Sequence, residues 1–188
     1  MTELEAHKIL SASSALSPGK FYGTTYALGL GAGMFFEDIR CPIFDTEDRL
    51  FLTVALPVYV LTHECDIDPT NDRTFNDYLT ICPVIPLRAF LIEYSDWGHT
   101  DDELRSFLSA VAKRTVNRLI YVPPGPSSLE YGALMYLNNL ASTHICEFES
   151  ITPMATVSAY GLELIDKAFS NHFLRPKADR LAFGPQPN

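Results

Sequence analysis

Histidine, cysteine and carboxylate side chains crowd into one short stretch, Thr62-His63-Glu64-Cys65-Asp66-Ile67-Asp68. Read as an extended strand, it places His63 and Cys65 on one face with Cα atoms about 6.6 Å apart, two steps of about 3.3 Å. An imidazole beside a thiol can lower the thiol pKa and make a nucleophile, while Asp66 and Asp68 orient the imidazole or hold a hard cation. The competing reading is plainer: Cys65 packs as a small hydrophobe, His63 is a hydrogen-bonded strand residue, and the aspartates open a loop. The same pattern recurs as Thr143-His144-Ile145-Cys146. If the two segments are neighbouring strands, His63, Cys65, His144 and Cys146 converge on one tetrahedral zinc ion, although the tight cysteine spacing of zinc knuckles is missing.

The remaining candidates are charges. Arg73, Arg105, Lys113, Arg114 and Arg118 flank the loop and a helix. An arginine aimed at Asp66 or Asp72 closes an ion pair or, with its planar fork, clamps a phosphate. His172, Arg175, Lys177 and Arg180 form a basic cluster at the end of a helix, where the dipole favours cations; a nucleic-acid or acidic partner is the alternative use. The run Gly29-Leu30-Gly31-Ala32-Gly33 has no strand–glycine–helix context and no Gly-Lys-Ser/Thr ending, so it reads as close backbone packing. Asp66-Ile67-Asp68 begins like a calcium loop without its glycine and terminal glutamate.

These residues need elements to position them. Leu50–Leu56 and Val58–Ile67 are rich in Val, Leu, Tyr and Thr and read as strands broken by Pro57, with a polar loop from Asp68 to Arg73. Tyr78–Ile85 returns as an antiparallel neighbour. Thr100 and Glu103 form a capping box ahead of Leu104, Phe107, Leu108 and Val111, which predicts a helix to about Val116. Leu119–Val122 is a strand, and Ala133–Phe148 holds one or two more. Thr2–Leu16 reads as a helix, and another starts near Ser158 with Leu162, Ile165 and Phe169 on one face. One domain follows: an N-terminal helix or extension at 1–20, a β-rich body at 21–156 with its helix near 101–116, a C-terminal helix at 157–175 and a loose tail at 176–188. The expected class is α+β, a small antiparallel SH3-like β-barrel or half-barrel with an inserted helix and a C-terminal helix.

Composition sets outer bounds. With 188 residues, 47% of them hydrophobic, the chain can bury a core of its own. A formal charge of −9 argues against non-specific DNA binding, because the phosphate backbone is repelled. The longest apolar stretch, Ala27–Phe36, is interrupted by glycines and too short to span a membrane. The first residues lack a basic start and apolar run, so a cytoplasmic location is expected. Four cysteines without a CxxC are expected as free thiols.

Pro57-Val58-Tyr59-Val60-Leu61-Thr62, the polar loop, and Leu79-Thr80-Ile81-Cys82-Pro83-Val84-Ile85 resemble the two core strands of the PemK/MazF toxins, bacterial SH3-like barrels that act as dimeric endoribonucleases. Arg118–Pro124 and Ala133–Leu140 are similar to the later strands of that family. The resemblance implies a bacterial toxin-like or defence-associated protein acting on nucleic-acid phosphodiesters, with a homodimer as its assembly. The family's arginine before the first core strand and its closing threonine or serine correspond to Leu56 and Ile85 here. Cleavage would therefore need replacements: His63 or Asp66 as base and Arg118 as phosphate clamp, with Cys65 beside them. The alternatives are a non-catalytic module that binds a protein partner, and a protein built on the His/Cys zinc site.

Overall fold

A computed structural model describes residues 1–12, 18–23, 30–45, 47–71 and 77–174. The expectations placed on residues 13–16, Gly29, Asp72, Arg73, Arg175, Lys177, Arg180 and the tail lie outside the described residues.

The sheet is built on a long hairpin of β1 (Met34–Asp45) and β2 (Leu50–Val60), paired from Phe35↔Tyr59 to Asp45↔Leu50. At its tip the Asp45 carboxylate accepts the N–H groups of Glu47 and Asp48, and Arg49 takes a φ of 54°. Pro57 does not break β2 as the sequence suggested. Glu37 and Asp38 stand opposite Pro57 alone, a two-against-one bulge with Asp38 at φ 56°, so the hairpin bends and its pairing continues. Antiparallel to β2 runs β3 (Tyr78–Pro86), the expected neighbour. Its other edge carries β5 (Ala133–Tyr136) and, further along, β6 (Ala141–His144); β4 (Leu119–Val122) lies outside β5, and β7 (Ala155–Thr156) closes the base of β1. Among the described residues this makes seven antiparallel strands in the order β4-β5-β3-β2-β1-β7, with β6 on β3. The sheet is open, so the half-barrel form of the expected α+β architecture is the one adopted.

Alternation along the strands divides the interior into two cores. Phe35, Tyr59 and Cys82, which register across β1, β2 and β3, pack against helices. The helices are α1 (Glu3–Ala12), α2 (Pro18–Phe21), α4 (Leu87–Asp96), α5 (Asp101–Ala112) and α6 (Ala159–Phe173). The alternate residues Phe36, Val58, Val60 and Ile81 form a second core closed by Ile67 and Phe148. Those two lie in short helical turns, α3 (Glu64–Ile67) and a 3-10 turn at Ile145–Phe148.

Local chemistry sets the helix ends. Thr2 and Glu5 exchange capping hydrogen bonds at the start of α1, and the Thr100–Glu103 capping box opens α5 as expected. Helix α5 stops at Ala112, four residues earlier than expected, because Lys113 caps it and Arg114 takes a φ of 58°. Ser158 caps α6 through the Gly161 N–H. Helix α4 was not expected; its Leu87, Phe90, Leu91 and Tyr94 are buried at helical spacing. Among the described residues no helix is long and apolar enough to cross a membrane.

Candidate functional site

The expected strand Val58–Ile67 does not run past Val60. Strand β2 ends at Val60; the Leu61 N–H reaches Thr80 O at 2.9 Å, and Thr62 Oγ1 accepts the Thr80 N–H at 2.7 Å. The chain then turns into α3 with His63 as its N-cap, φ −68° and ψ 146°. His63 Nδ1 accepts the Cys65 N–H at 3.2 Å, so the imidazole takes the place that Ser or Asp usually fills at a helix start. The second segment does the same. His144, φ −78° and ψ 145°, caps the turn at Ile145–Phe148, with its Nδ1 accepting the Cys146 N–H at 3.2 Å. What looked like a repeated ligand string is thus a repeated local fold, His-x-Cys as a capped turn.

This geometry decides what the imidazoles can do. A neutral imidazole has one lone pair, and in both residues it is engaged by the cap, which leaves Nε2 carrying the proton. A general base or a metal ligand needs that lone pair. The Glu64 carboxylate lies 3.6 Å from His63 Nδ1, but an ion pair there requires a protonated ring and would forfeit the cap. The two turns flank the start of β3, one bonded to Thr80 and the other registered with Tyr78, about two strand spacings or 10 Å apart. Among the described residues no three His, Cys, Asp or Glu side chains gather where a metal ion could sit, and the turns of His63 and Cys65 and of His144 and Cys146 lie on opposite sides of β3. Cys65 and Cys146 are exposed, and Asn71 Nδ2 donates to Cys65 O. Asp68 holds the Thr70 hydroxyl and N–H, which draw its carboxyl below the ordinary range.

Arg118 stands elsewhere. It directly precedes β4, three strands from β2 in the sheet order, about 14 Å at 4.8 Å per strand. Its neighbours line a groove of about 500 Å³. Ile43, Val54 and Leu56 of the hairpin form one wall, Pro83–Pro86 of β3 and Leu134 and Tyr136 of β5 the floor, and Phe90, Glu93, Trp97 and Phe107 the other wall. His63, Cys65 and Asp66 do not line it. The proposed base and the proposed clamp are therefore not brought to one cleft.

The groove exists because β2 and β3 part company. The Leu61 N–H points to β3 and Val60 O to Gly33 on the β1 side, so odd-numbered residues of β2 turn their backbone groups toward β3. Pro57 is odd-numbered and has no N–H to give. The β2–β3 ladder stops at Val58↔Pro83, and β3 continues alone against β5. From Leu50 to Leu56 the edge of β2 facing away from β1 has no strand partner among the described residues. Leu50, Phe51 and Leu52 are exposed, Phe51 to 72%, and Phe51 stacks edge-on with exposed Phe44 at 5.2 Å. None of this edge was singled out from the sequence. The signal was there: Leu50-Phe51-Leu52-Thr53-Val54-Ala55-Leu56 is a seven-residue run without a charge.

No family model matches the chain, and no curated protein matches it. The antiparallel sheet carries nothing specific to the PemK/MazF toxins.

Proposed function

We propose that this protein is a non-catalytic interaction module whose working surface is the free edge of β2 together with the groove beside it. One observation carries the reading: an uncharged, seven-residue strand lies with one edge unpaired among the described residues, next to an apolar groove of about 500 Å³. Unpaired strand edges add a further strand through main-chain hydrogen bonds, while pockets beside them take alternate side chains and give selectivity. Proteins normally protect such an edge with charge, proline or a covering element. Strand β1 shows that protection on the other side of the hairpin, with Arg40, Pro42 and Asp45. Strand β2 has no charge or proline between Leu50 and Leu56 and no strand over that edge among the described residues, which favours an edge kept available for use.

Trp97, the only tryptophan, lines the groove and reports on its occupancy. A synthetic extended peptide of alternating Val and Thr, flanked by lysines for solubility, should shift the Trp97 emission saturably. The shift should vanish in Thr53→Pro, which removes a donor from the middle of the edge. No response up to millimolar peptide from protein that is monomeric would overturn the reading. So would cleavage of RNA by the purified protein that is lost in Arg118→Ala, which would restore the phosphodiester chemistry expected from the resemblance.

A further inference from the structure

We infer that the occupant of the β2 edge is a second copy of this chain, paired β2 to β2 in antiparallel fashion about Thr53; the inference rests on the interaction reading above and names its partner. By the alternation already described, Phe51, Thr53 and Ala55 turn their N–H and C=O groups to the free edge. A two-fold axis at Thr53 pairs Thr53 with its own copy and Phe51 with the other chain's Ala55, twice over. That gives about six N–H···O bonds between chains. It also sets the largest side chain of one face opposite the smallest, and Leu50 and Leu52 opposite Leu56 and Val54 on the other face. No charge enters the paired segment, so the net charge of −9 does not oppose it locally.

The ends of the paired arms fit as well. Antiparallel pairing carries each hairpin tip to the mouth of the other copy's groove, where Val54, Leu56 and Trp97 await an apolar side chain. The tip is acidic, with Asp45, Glu47 and Asp48 against Arg49. Arg118, on the groove, has no side-chain partner among the described residues, so the tip brings it opposite charge. Phe44, Leu50, Phe51 and Leu52 are 49%, 43%, 72% and 43% exposed. At about 200 Å² for a full aromatic side chain, two copies with their backbones and groove walls remove roughly 1,000 Å² from water. A specific interface begins at about that size.

The test combines sedimentation, cross-linking and the peptide titration. Wild type should sediment at twice the 21.0 kDa chain mass at micromolar concentration. Thr53→Pro and, independently, Leu52→Lys should raise the dimer dissociation constant at least about a hundredfold. Thr53→Cys, in a Cys65→Ser/Cys146→Ser background, should form an inter-chain disulfide on mild oxidation, since residues exchanging both bonds stand about 5.5 Å apart at Cα. Phe51→Cys alone should not. A chain that stays monomeric at 100 µM yet still shows the peptide-induced Trp97 shift overturns the second copy as occupant and leaves the interaction reading standing. A monomer without that shift overturns both. A dimer indifferent to Thr53→Pro and Leu52→Lys, or one cross-linked at residue 51 and not at 53, places the interface elsewhere and overturns this inference.

Discussion

His63 and His144 each spend their single lone pair on a backbone N–H two residues ahead. The direct consequence is structural: His63→Ala should lower the melting temperature by about 2–4 °C, the effect of losing a helix cap worth about 1 kcal/mol in a chain of this length. His63→Asp, which supplies another acceptor at the same place, should restore most of it. A catalytic histidine would behave otherwise, because stability would be indifferent to the exchange. The cysteines divide by environment. Cys41 and Cys82 are buried, and burial pushes their thiols up to about 11 and about 12, with Glu147 adding to the effect at Cys41. Cys65 and Cys146 are exposed. A chromogenic thiol reagent at pH 8 should therefore titrate Cys65 and Cys146 quickly and reach Cys41 and Cys82 only after denaturant is added. Four fast thiols would contradict the packing described.

At the scale of elements, capping chemistry carries a pH dependence whose sign is fixed. The Thr100 N–H, then its hydroxyl, bond the Glu103 carboxylate and hold it below the ordinary glutamate value of 4.5, with His99 contributing. A carboxyl lowered on folding stabilises the protein fully above its unfolded value, and that contribution is lost as pH falls through the folded one. Glu103→Gln should thus melt earlier than wild type at pH 7, and the gap should close as pH falls well below 4.5. A gap that persists at pH 2.5 would place the effect outside the charge. This helix start was legible because Thr-x-x-Glu before an apolar stripe has a local cause. The strands β3 and β4 and the helix start near Ser158 were legible for similar reasons. Helix α4 was missed although Leu87, Phe90, Leu91 and Tyr94 carry the period, since it follows β3 directly from Pro86 with no side-chain cap to announce it. The turn after Thr62 was misread because a histidine cap leaves no familiar sequence sign, and alternation of His63 and Cys65 imitates a strand.

For the whole molecule, the α+β class and the antiparallel pairing of β2 with β3 followed from the sequence, whereas the two cores and the working surface did not. A strand edge is the absence of a neighbour, and no single residue type announces it. Only the register shows that Pro57 ends one ladder, that Pro42 and Arg40 guard the opposite edge, and that Leu50–Leu56 is left open. The apolar concavity lies beside Arg118, and His63, Cys65 and Asp66 do not line it. Peptide titration and sedimentation examine this surface directly, the first through Trp97 and the second through the pairing of two chains.

The register of β7 bears on synthesis. Phe35 pairs with Ala155, 120 residues later in the chain. At about 5–20 residues per second, a ribosome delivers that partner roughly 6–24 s after Phe35 is made. Throughout that interval the nascent hairpin has an uncovered base as well as its apolar β2 edge, so slower growth at low temperature with a holdase chaperone in excess should raise the soluble yield.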